Sequence, residues 1–419
     1  MECAIIICMQ NHDYNQEALD LHKKFGGKLE TVSKVKLESR EDLSRAYTPG
    51  VAEVCKVIHE SGVKSQNENG NKIQGLDTSS REYTLKRNTV AIISDGSAIL
   101  GIGNLGAHAS IPVMEGKAAI LKEFADVDAF PICLDTQDTE EIISIIKNIS
   151  PVFGGINLED IAAPKCFEIE ERLRRELTIP VMHDDQWGAA TVALTALINS
   201  LKIVSKNKED IRVVLSGVGA AGVATARLLI SYGIKNIIFI DSVGVVNKQR
   251  KEEGEMLGKK LNKEKLELLA LTNEHDLGGG LAEAIKNSDV FIGLSKPNVL
   301  TVDMIKSMNV NPVIFALANP NPEISVDDAR TAGARVIATG RSDYPNQINN
   351  SLVFPGFWRG VLDSQYVGNY KGIDNSIFIK IAKDLAEYTE NSESGINENR
   401  ILPDMFDKKV VEIVTGSFK

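Results

Sequence analysis

Residues 211–233 read IRVVLSGVGAAGVATARLLISYG. The apolar run predicts a β-strand, and the glycine-rich turn after it opens a helix. In such a turn Gly217 permits the sharp bend, Gly219 lets the backbone approach a pyrophosphate, and Gly222 packs the helix on the strand. Asp241 ends the next apolar strand, where an acid can bind a ribose hydroxyl. We expect six turn residues to contact a dinucleotide: Gly217, Val218, Gly219, Ala220, Ala221 and Gly222.

A second match to the same glycine spacing, GIGNLG, occupies residues 101–106. Ile111-Pro112 follows where a helix would have to open, and proline is disfavoured inside helices. We therefore predict that this copy is not a nucleotide loop. The alternative for either copy is a purely structural turn.

Apolar strands alternate with helical patterns along most of the chain, which predicts an α/β protein with parallel sheets. Residues 89–103 favour a hairpin turning at Asp95-Gly96, and residues 62–76 favour a polar surface loop. We expect an N-terminal α/β domain over residues 1–186. A Rossmann-type, doubly wound dinucleotide-binding domain with a C-terminal helical tail should occupy residues 187–419.

Two pairs of adjacent acids follow apolar strands: Glu159-Asp160 in NLED and Asp184-Asp185 in HDD. Ligands of open α/β sheets bind at the carboxyl ends of strands. Converging carboxylates repel unless a cation lies between them, and Mg²⁺ and Mn²⁺ prefer oxygen ligands. The pairs thus predict a metal site, with two solvated helix N-caps as the alternative.

Tyr47 and Lys117 are candidates for acid–base chemistry. Tyr47 lies at a Pro-Gly break, where a phenol can point into a cleft. Lys117 is expected near the start of an amphipathic helix, where the dipole would lower its pKa and suit it to act as a base. The alternatives are an ordinary solvated lysine and a surface ring.

Several polar residues near strand ends allow both a functional and a structural interpretation. Asn319 and Asn349-Asn350 follow strands of the nucleotide half, and asparagine is also a common turn residue. His183 precedes the second acidic pair without a spaced partner, so we interpret it as structural.

Composition excludes several classes of protein. The 419 residues carry a net charge of −10 and no Lys/Arg block, so we expect no nucleic-acid partner. No stretch approaches the roughly 20 apolar residues of a membrane span, and no signal peptide is evident. The five scattered cysteines favour reduced thiols and a cytoplasmic location.

Five ordered blocks together resemble the malic enzymes of the short bacterial type, from about residue 15 to the end: YTPGVA, the long block from SDGSAILGIG to CLDT, NLEDIAAPKCFEIEERLR, VMHDDQWGAA and GVGAAGVATARLL. The resemblance implies that malate is oxidised and decarboxylated to pyruvate and CO₂, with NAD or NADP and with Mg²⁺ or Mn²⁺. Short members of the family are usually homodimers, so the resemblance also implies a second copy of the chain as partner.

The resemblance also implies roles for individual residues. The metal ligands would be Glu159, Asp160 and Asp185. The acid–base groups would be Lys117 as general base, Asp184 as its hydrogen-bonding carboxylate and Tyr47 as general acid. The substrate would be held by Lys117, Asn319 and Asn349, although the adjacent Asn350 is an alternative to Asn349.

The chain departs from the family pattern at three places. Ala189 replaces a common threonine, and Ser97-Ala98 stand where larger members carry an arginine, so the cation for malate's second carboxylate is unassigned. The NENG region resembles an insertion, which loosens the N-terminal alignment.

Asp241 favours NAD over NADP, because a carboxylate there binds a ribose hydroxyl. Lys248, Arg250 and Lys251 could still reach a phosphate. Malolactic and oxaloacetate-decarboxylating activities on the same scaffold are alternatives, as is a nucleotide sensor without catalysis. Intact Tyr47, Lys117 and acidic pairs favour an enzyme.

Overall fold

The protein contains two parallel sheets, described by a computed structural model that covers residues 14–64, 78–256, 260–368 and 370–419. The first sheet has the strand order β2-β1-β3-β4, and the second has the order β10-β9-β8-β5-β6-β7. The strands are β1 Thr89–Ser94, β2 Asp128–Cys133, β3 Gly155–Leu158, β4 Val181–His183, β5 Arg212–Ser216, β6 Asn236–Asp241, β7 Gly244–Val245, β8 Val290–Gly293, β9 Val313–Ala316 and β10 Val336–Thr339. The predicted α/β fold class is confirmed.

Helices connect the strands and extend both ends of the described chain. In the N-terminal half they are α1 Tyr14–Phe25, α2 Arg40–Ala46, α3 Val51–Lys64, α4 Thr78–Tyr83, α5 Ala107–Ala125, α6 Thr139–Ile149, α7 Lys165–Glu176 and α8 Asp184–Val204. In the C-terminal half they are α9 Ala220–Tyr232, α10 Lys248–Met256, α11 Lys263–Leu271, α12 Leu281–Ile285, α13 Val302–Lys306, α14 Val326–Thr331, α15 Phe354–Tyr366, α16 Asn375–Glu390 and α17 Lys408–Gly416. Most of the predicted loop at 62–76 lies outside the described residues.

The second sheet has the arrangement of a doubly wound dinucleotide-binding domain. From β5 the chain adds β6 and β7 on one side of the sheet and then β8, β9 and β10 on the other side, so the strand order reverses between β5 and β8. Only β7 runs antiparallel to its neighbour. Side chains of β5 alternate between two apolar cores: Val213 and Leu215 enter one, and Val214 enters the other. Both faces are therefore covered, as a parallel sheet requires.

The predicted hairpin at Asp95-Gly96 is wrong. β1 pairs in parallel with β2 and β3, and the segment after it forms a turn with one isolated bridge between Ile99 and Gly103. The apolar residues that suggested a second strand instead lead through GIGNLG into α5. Apolar alternation alone does not distinguish a strand from a short buried turn.

The expected start of α5 is also wrong. The helix begins at Ala107, directly after GIGNLG, and Pro112 lies inside it. Lys117 is therefore in the middle of the helix, where the terminal dipole has little effect. The second glycine motif does open a helix, although it belongs to the first sheet and not to the dinucleotide-binding sheet.

α8 connects the two sheets and is buried. The length and composition of α8 would allow it to cross a membrane, although the sequence analysis expected no such stretch. However, 83% of its apolar segment is buried inside the protein. We propose that the domain boundary falls at residues 186–187, within the first turn of this helix. The C-terminal helices return to the first sheet, since the Trp358 indole of α15 donates to Asn157 of β3 over 2.9 Å.

Candidate active site and metal centre

Two neighbouring strands bring the acidic pairs together. β3 and β4 are parallel, with Leu158 opposite His183, so the residues that follow each strand meet at one edge of the sheet. Oxygen atoms of Glu159, Asp160 and Asp185 all lie within 4.8 Å of one another. This is the single such group of acidic, histidine or cysteine residues found in the described parts of the chain.

The cluster has the properties of a site for a hard divalent cation. Burial and the charge of Asp185 raise the pKa of Asp160 to about 7, and burial raises the pKa of Glu159 well above its ordinary range. Asp160 Oδ2 is buried without a hydrogen-bond partner. Three converging oxygen donors and an unpartnered carboxylate oxygen fit Mg²⁺ or Mn²⁺.

Asp184 pairs with Lys117, which also contacts Glu159 of the cluster. Lys117 Nζ lies 2.5 Å from Asp184 Oδ2 and 3.1 Å from Glu159 Oε1, and it stands 4.4 Å from the centre of the Phe354 ring. Burial alone would lower the pKa of Lys117, but the carboxylates of Asp184 and Glu159 raise it above its ordinary value. Lys117 lies in the middle of α5, so the predicted lowering of its pKa by a helix start is wrong.

The two adjacent asparagines have different partners. Asn350 Nδ2 donates to Asp184 Oδ2 over 2.7 Å, so it holds the same carboxylate as Lys117. The Asn349 side chain accepts from the Ser351 backbone N–H, capping a short 3₁₀ helix. Both asparagines line one groove with Lys117. The sequence could not decide which of them would bind the substrate, because they are adjacent.

The groove beside Lys117 has a volume of about 990 Å³ and contains a second lysine, which the sequence analysis did not single out. Lys28 Nζ donates to the Pro112 carbonyl of α5 over 2.7 Å. A Cβ added to Gly116 would lie 3.3 Å from this ammonium, so glycine leaves room for it. Only the fold brings Lys28 to α5, because 84 residues separate it from Pro112.

Tyr47 and Asn319 do not line this groove. Tyr47 is the C-cap residue of α2 and its side chain is 66% exposed. Asn319 is exposed after β9, where its carbonyl oxygen would lie 2.8 Å from a Cβ added to Gly101. The chain therefore brings Lys117 and Asp184 beside the acidic cluster, whereas neither Tyr47 nor Asn319 lines the groove of Lys117.

Glu170 of α7 supports the second acidic pair and was missed by the sequence analysis. This buried carboxylate accepts from the His183 backbone N–H over 3.1 Å, from Gln186 Nε2 over 3.0 Å and from Trp187 Nε1 over 2.9 Å. His183 is fully buried, neither of its ring nitrogens has a hydrogen-bond partner among the described residues, and Nδ1 lies 3.8 Å from Asp185 Oδ2. Its structural interpretation stays a prediction. An acidic residue on an otherwise apolar helix face is the signal that could have revealed Glu170.

The glycine turn after β5 fits a dinucleotide. A Cβ added to Gly217 would lie 2.3 Å from the Leu294 carbonyl oxygen, and one added to Gly222 would lie 1.9 Å from the Gly217 carbonyl oxygen. Gly219, the N-cap of α9, has open space where its Cβ would be. Two glycines thus permit close backbone packing, and the third leaves the helix N-terminus accessible to phosphate.

Asp241 ends β6 as predicted, and its carboxylate contacts two cations. Arg250 of α10 and Lys265 of α11 both donate to it. Burial would raise the pKa of Asp241, but these hydrogen bonds lower it to about 2. Lys265 was missed by the sequence analysis because it lies 24 residues further along the chain.

The chain matches two family models that together span most of its length. One is described as malic enzyme, N-terminal domain, and covers residues 26–174; the other is described as malic enzyme, NAD binding domain, and covers residues 187–415.

Close relatives and a solved structure agree with these matches. A NAD-dependent malic enzyme of Geobacillus stearothermophilus is 50% identical over 93% of this chain and 75% of its own. A bifunctional malic/malolactic enzyme of Bacillus subtilis is 47% identical over 95% of this chain and 90% of its own. The crystal structure of a NAD-dependent malic enzyme from Thermotoga maritima has a TM-score of 0.86 and 44% identity, covering 96% of this chain and 98% of that one.

Proposed function

Because the chain belongs to the malic enzyme family, we propose that it oxidises (S)-malate and decarboxylates it to pyruvate and CO₂, with reduction of NAD and with Mg²⁺ or Mn²⁺. One observation carries this assignment: three carboxylates converge within 4.8 Å, and the Nζ atom of Lys117, whose side chain is 12% exposed, lies 3.1 Å from one of them. A plain dehydrogenase has no use for such a cluster, whereas a decarboxylase needs a cation to stabilise the developing enolate.

The proposed metal ligands are Glu159, Asp160 and Asp185. A cation held there would supply Lewis-acid polarisation of the oxygen on C2 of malate, and a nicotinamide at the glycine turn would serve as hydride acceptor. Lys117 takes the hydroxyl proton. A cation held by Glu159 and Asp185 would lower its pKa, because part of the raised value comes from the charge of these two carboxylates. Asp184, held by Asn350, orients the lysine amine.

The direct test is an assay with (S)-malate, comparing NAD with NADP and Mn²⁺ with excess chelator. We expect reduced nucleotide, pyruvate and CO₂ in equal amounts, and no turnover in chelator. The name of the Bacillus subtilis relative makes malolactic activity a second candidate, which lactate formation without free reduced nucleotide would identify. If the protein binds neither malate nor nucleotide, the assignment is wrong.

Tyr47 is proposed to act as general acid in the active site of a second copy of the chain. In one copy it is exposed and outside the groove of Lys117. No residue of α1 or α2 is buried, and the arm that contains these helices exposes a series of large apolar side chains. These are Leu19, Leu21, Phe25, Leu29, Val32, Val35, Leu37, Leu43 and Tyr47. Such a surface is typical of an interface between subunits, which supports a homodimer.

Mixed dimers test this arrangement. Tyr47→Phe and Lys117→Ala are each expected to be inactive as homodimers. After unfolding and refolding together, about half of the dimers are mixed, and each would contain one intact site from two subunits. The mixture should recover about a quarter of the wild-type activity. If Tyr47 and Lys117 act within one chain, the mixture remains inactive.

Lys28 is the proposed cation for the second carboxylate of malate. It would replace the arginine that larger members of the family carry where this chain has Ser97-Ala98. It lines the same groove as Lys117, and its ammonium keeps donor capacity beyond its bond to Pro112. Lys28→Met should raise the Michaelis constant for malate about tenfold or more, as expected for a lost charged hydrogen bond. Oxalate lacks the CH₂–carboxylate group of malate that Lys28 would bind. The inhibition constant of oxalate should therefore not change. Equal losses for malate and oxalate would exclude this role.

A further inference from the structure

The turn over residues 97–103 leads into GIGNLG and is hydrogen-bonded to the proposed metal ligand Asp160. The Ala98 backbone N–H donates to the Asp160 carbonyl over 2.9 Å, and the Leu100 backbone N–H donates to Asp160 Oδ1 over 3.4 Å. Leu100 has a φ of +43°, in the left-handed region that a leucine rarely adopts. Such a backbone persists where the surrounding contacts fix it, and here those contacts come from the acidic segment.

The other side of this turn contacts the nucleotide half of the chain at Asn319. A Cβ added to Gly101 would lie 2.8 Å from the Asn319 carbonyl oxygen and 3.9 Å from Asn319 Cβ. Gly101 also has a φ of +74°, so the backbone and the close approach both require glycine. One turn thus touches a proposed metal ligand of the first sheet and, one residue later, the loop that follows β9 in the second sheet.

The segment of Asn319 is anchored on its own side and cannot easily move away from the turn. Glu323 is fully buried, and its Oε2 accepts from the Ala318 backbone N–H over 3.0 Å. Arg341 Nη1 donates to the Pro320 carbonyl over 3.3 Å. The residues on both sides of Asn319 are therefore held, and a side chain at position 101 would displace the turn instead.

Glu323 also connects this segment to the glycine turn after β5. Its Oε1 accepts from the Ser295 backbone N–H over 2.9 Å, so one carboxylate joins the ends of β8 and β9. Ser295 Oγ lies 3.1 Å from Ser216 Oγ at the end of β5. Gly217 packs against the Leu294 carbonyl, where its Cβ would lie 2.3 Å from the oxygen. Direct contacts therefore run from the acidic cluster to the glycine turn.

We infer that Gly101 is a positioning residue through which binding of a cation and binding of a dinucleotide are coupled. A cation at the acidic cluster would fix the Asp160 carboxylate and, with it, the turn that contacts Asn319. Less ordering then remains for the dinucleotide, which should bind more tightly. By linkage, each ligand raises the affinity for the other by the same factor, commonly about 5- to 150-fold. This inference rests on the proposed function in requiring that the cluster bind a cation and the glycine turn a dinucleotide.

Calorimetric titration of NAD into the intact protein, without malate, measures the coupling in the absence of turnover. The wild type should bind NAD at least about fivefold more tightly in saturating Mn²⁺ than in chelator. The reverse titration, of Mn²⁺ with and without NAD, should give the same factor. Gly101→Ala should remove most of this factor in both directions, because the new Cβ moves the turn away from Asn319.

Gly103→Ala is the matched control. Gly103 belongs to the same turn and has a φ of +109°, so alanine is at least as strained there, but no atom of the described residues lies within 4 Å of its added Cβ. This variant should keep the coupling of the wild type. Thermal unfolding shows whether each variant is folded. If Gly101→Ala is not, Gly101→Asn replaces it, since asparagine tolerates left-handed backbone and still carries the obstructing Cβ.

Three results would overturn the inference. An affinity for NAD that Mn²⁺ does not change in the wild type would show that the two sites are independent. Full coupling in a folded Gly101 variant would show that the cation acts on the nucleotide by another route. Equal losses in the Gly101 and Gly103 variants would assign the effect to the backbone of the turn and not to its contact with Asn319. A wild type that fails to bind Mn²⁺ alone or NAD alone would instead refute the proposed function, and the single titrations distinguish this case.

Discussion

Two glycines of one turn should respond oppositely to the same substitution, Gly→Ala. Gly222→Ala places a methyl group 1.9 Å from the Gly217 carbonyl oxygen, 2.9 Å from its carbon and 3.3 Å from Leu215 Cδ2. A backbone carbonyl cannot rotate away like a side chain, so α9 must move from β5. Overpacking costs about 1–3 kcal/mol, and contact with backbone puts this case near about 3 kcal/mol.

Gly219→Ala should leave the fold nearly unchanged. Its φ of −89° suits alanine, and nothing lies within 4 Å of the new Cβ. Alanine is a poorer N-cap than glycine, which lowers the stability of the fold, but it also reduces the entropy of the unfolded chain, which raises that stability. Each effect is below about 1 kcal/mol, so the two largely cancel. The methyl group would instead occupy the space over the helix N-terminus. Losing one charged hydrogen bond to a phosphate there should weaken nucleotide binding about 10- to 100-fold.

Thermal unfolding and nucleotide titration of both variants provide the measurement. For a domain of this size about 1 kcal/mol shifts Tm by about 2–4 °C, so Gly222→Ala should lower Tm by about 6–12 °C and Gly219→Ala by less than about 2 °C. Affinity for NAD should fall in Gly219→Ala at unchanged Tm. A stable Gly219→Ala protein with wild-type affinity for NAD would refute the assignment of this turn to the pyrophosphate.

Other expectations follow from the acidic cluster and from Asp241. Mn²⁺ at about 100 times its Kd should stabilise the wild type by about 2.7 kcal/mol in calorimetry, and Asp185→Asn should remove most of this gain; an unchanged gain would mean that the ligand set is different. Lys117→Ala should reduce malate oxidation about 10²- to 10⁴-fold and impair reduction of supplied oxaloacetate. Tyr47→Phe should retain that reduction, which needs no proton at C3, and its loss would contradict the division of roles. Because the pKa of Asp241 falls from 3.8 to about 2 on folding, its ion pairs stabilise the protein above pH 3.8 and less as the pH falls toward 2. The difference in stability between wild type and Asp241→Asn should therefore shrink over that range, and a constant difference would argue against the pairing.

Local features of the chain were predictable because they depend on neighbouring residues. The strand, turn and helix at residues 211–233 are contiguous, and their glycines act on backbone atoms of the same segment or of an adjacent strand. The acidic pairs were also recognisable, since each directly follows an apolar strand. The hairpin at Asp95-Gly96 failed because residues 97–103 pack as a turn against the loop of Asp160, whose carbonyl accepts from the Ala98 N–H.

The sequence by itself determined the fold class, the dinucleotide turn and the presence of two acidic pairs at strand ends. Only the tertiary structure decided which charges meet. Asp184 and Asp185 are consecutive on α8 and project about 100° apart, so one faces Lys117 and the other faces Asp160. The sign of the pKa shift of Lys117, and the pairing of Lys265 with Asp241, depend on charges brought from distant segments. Electrostatic interactions follow distance in space, which spacing along the chain does not reveal.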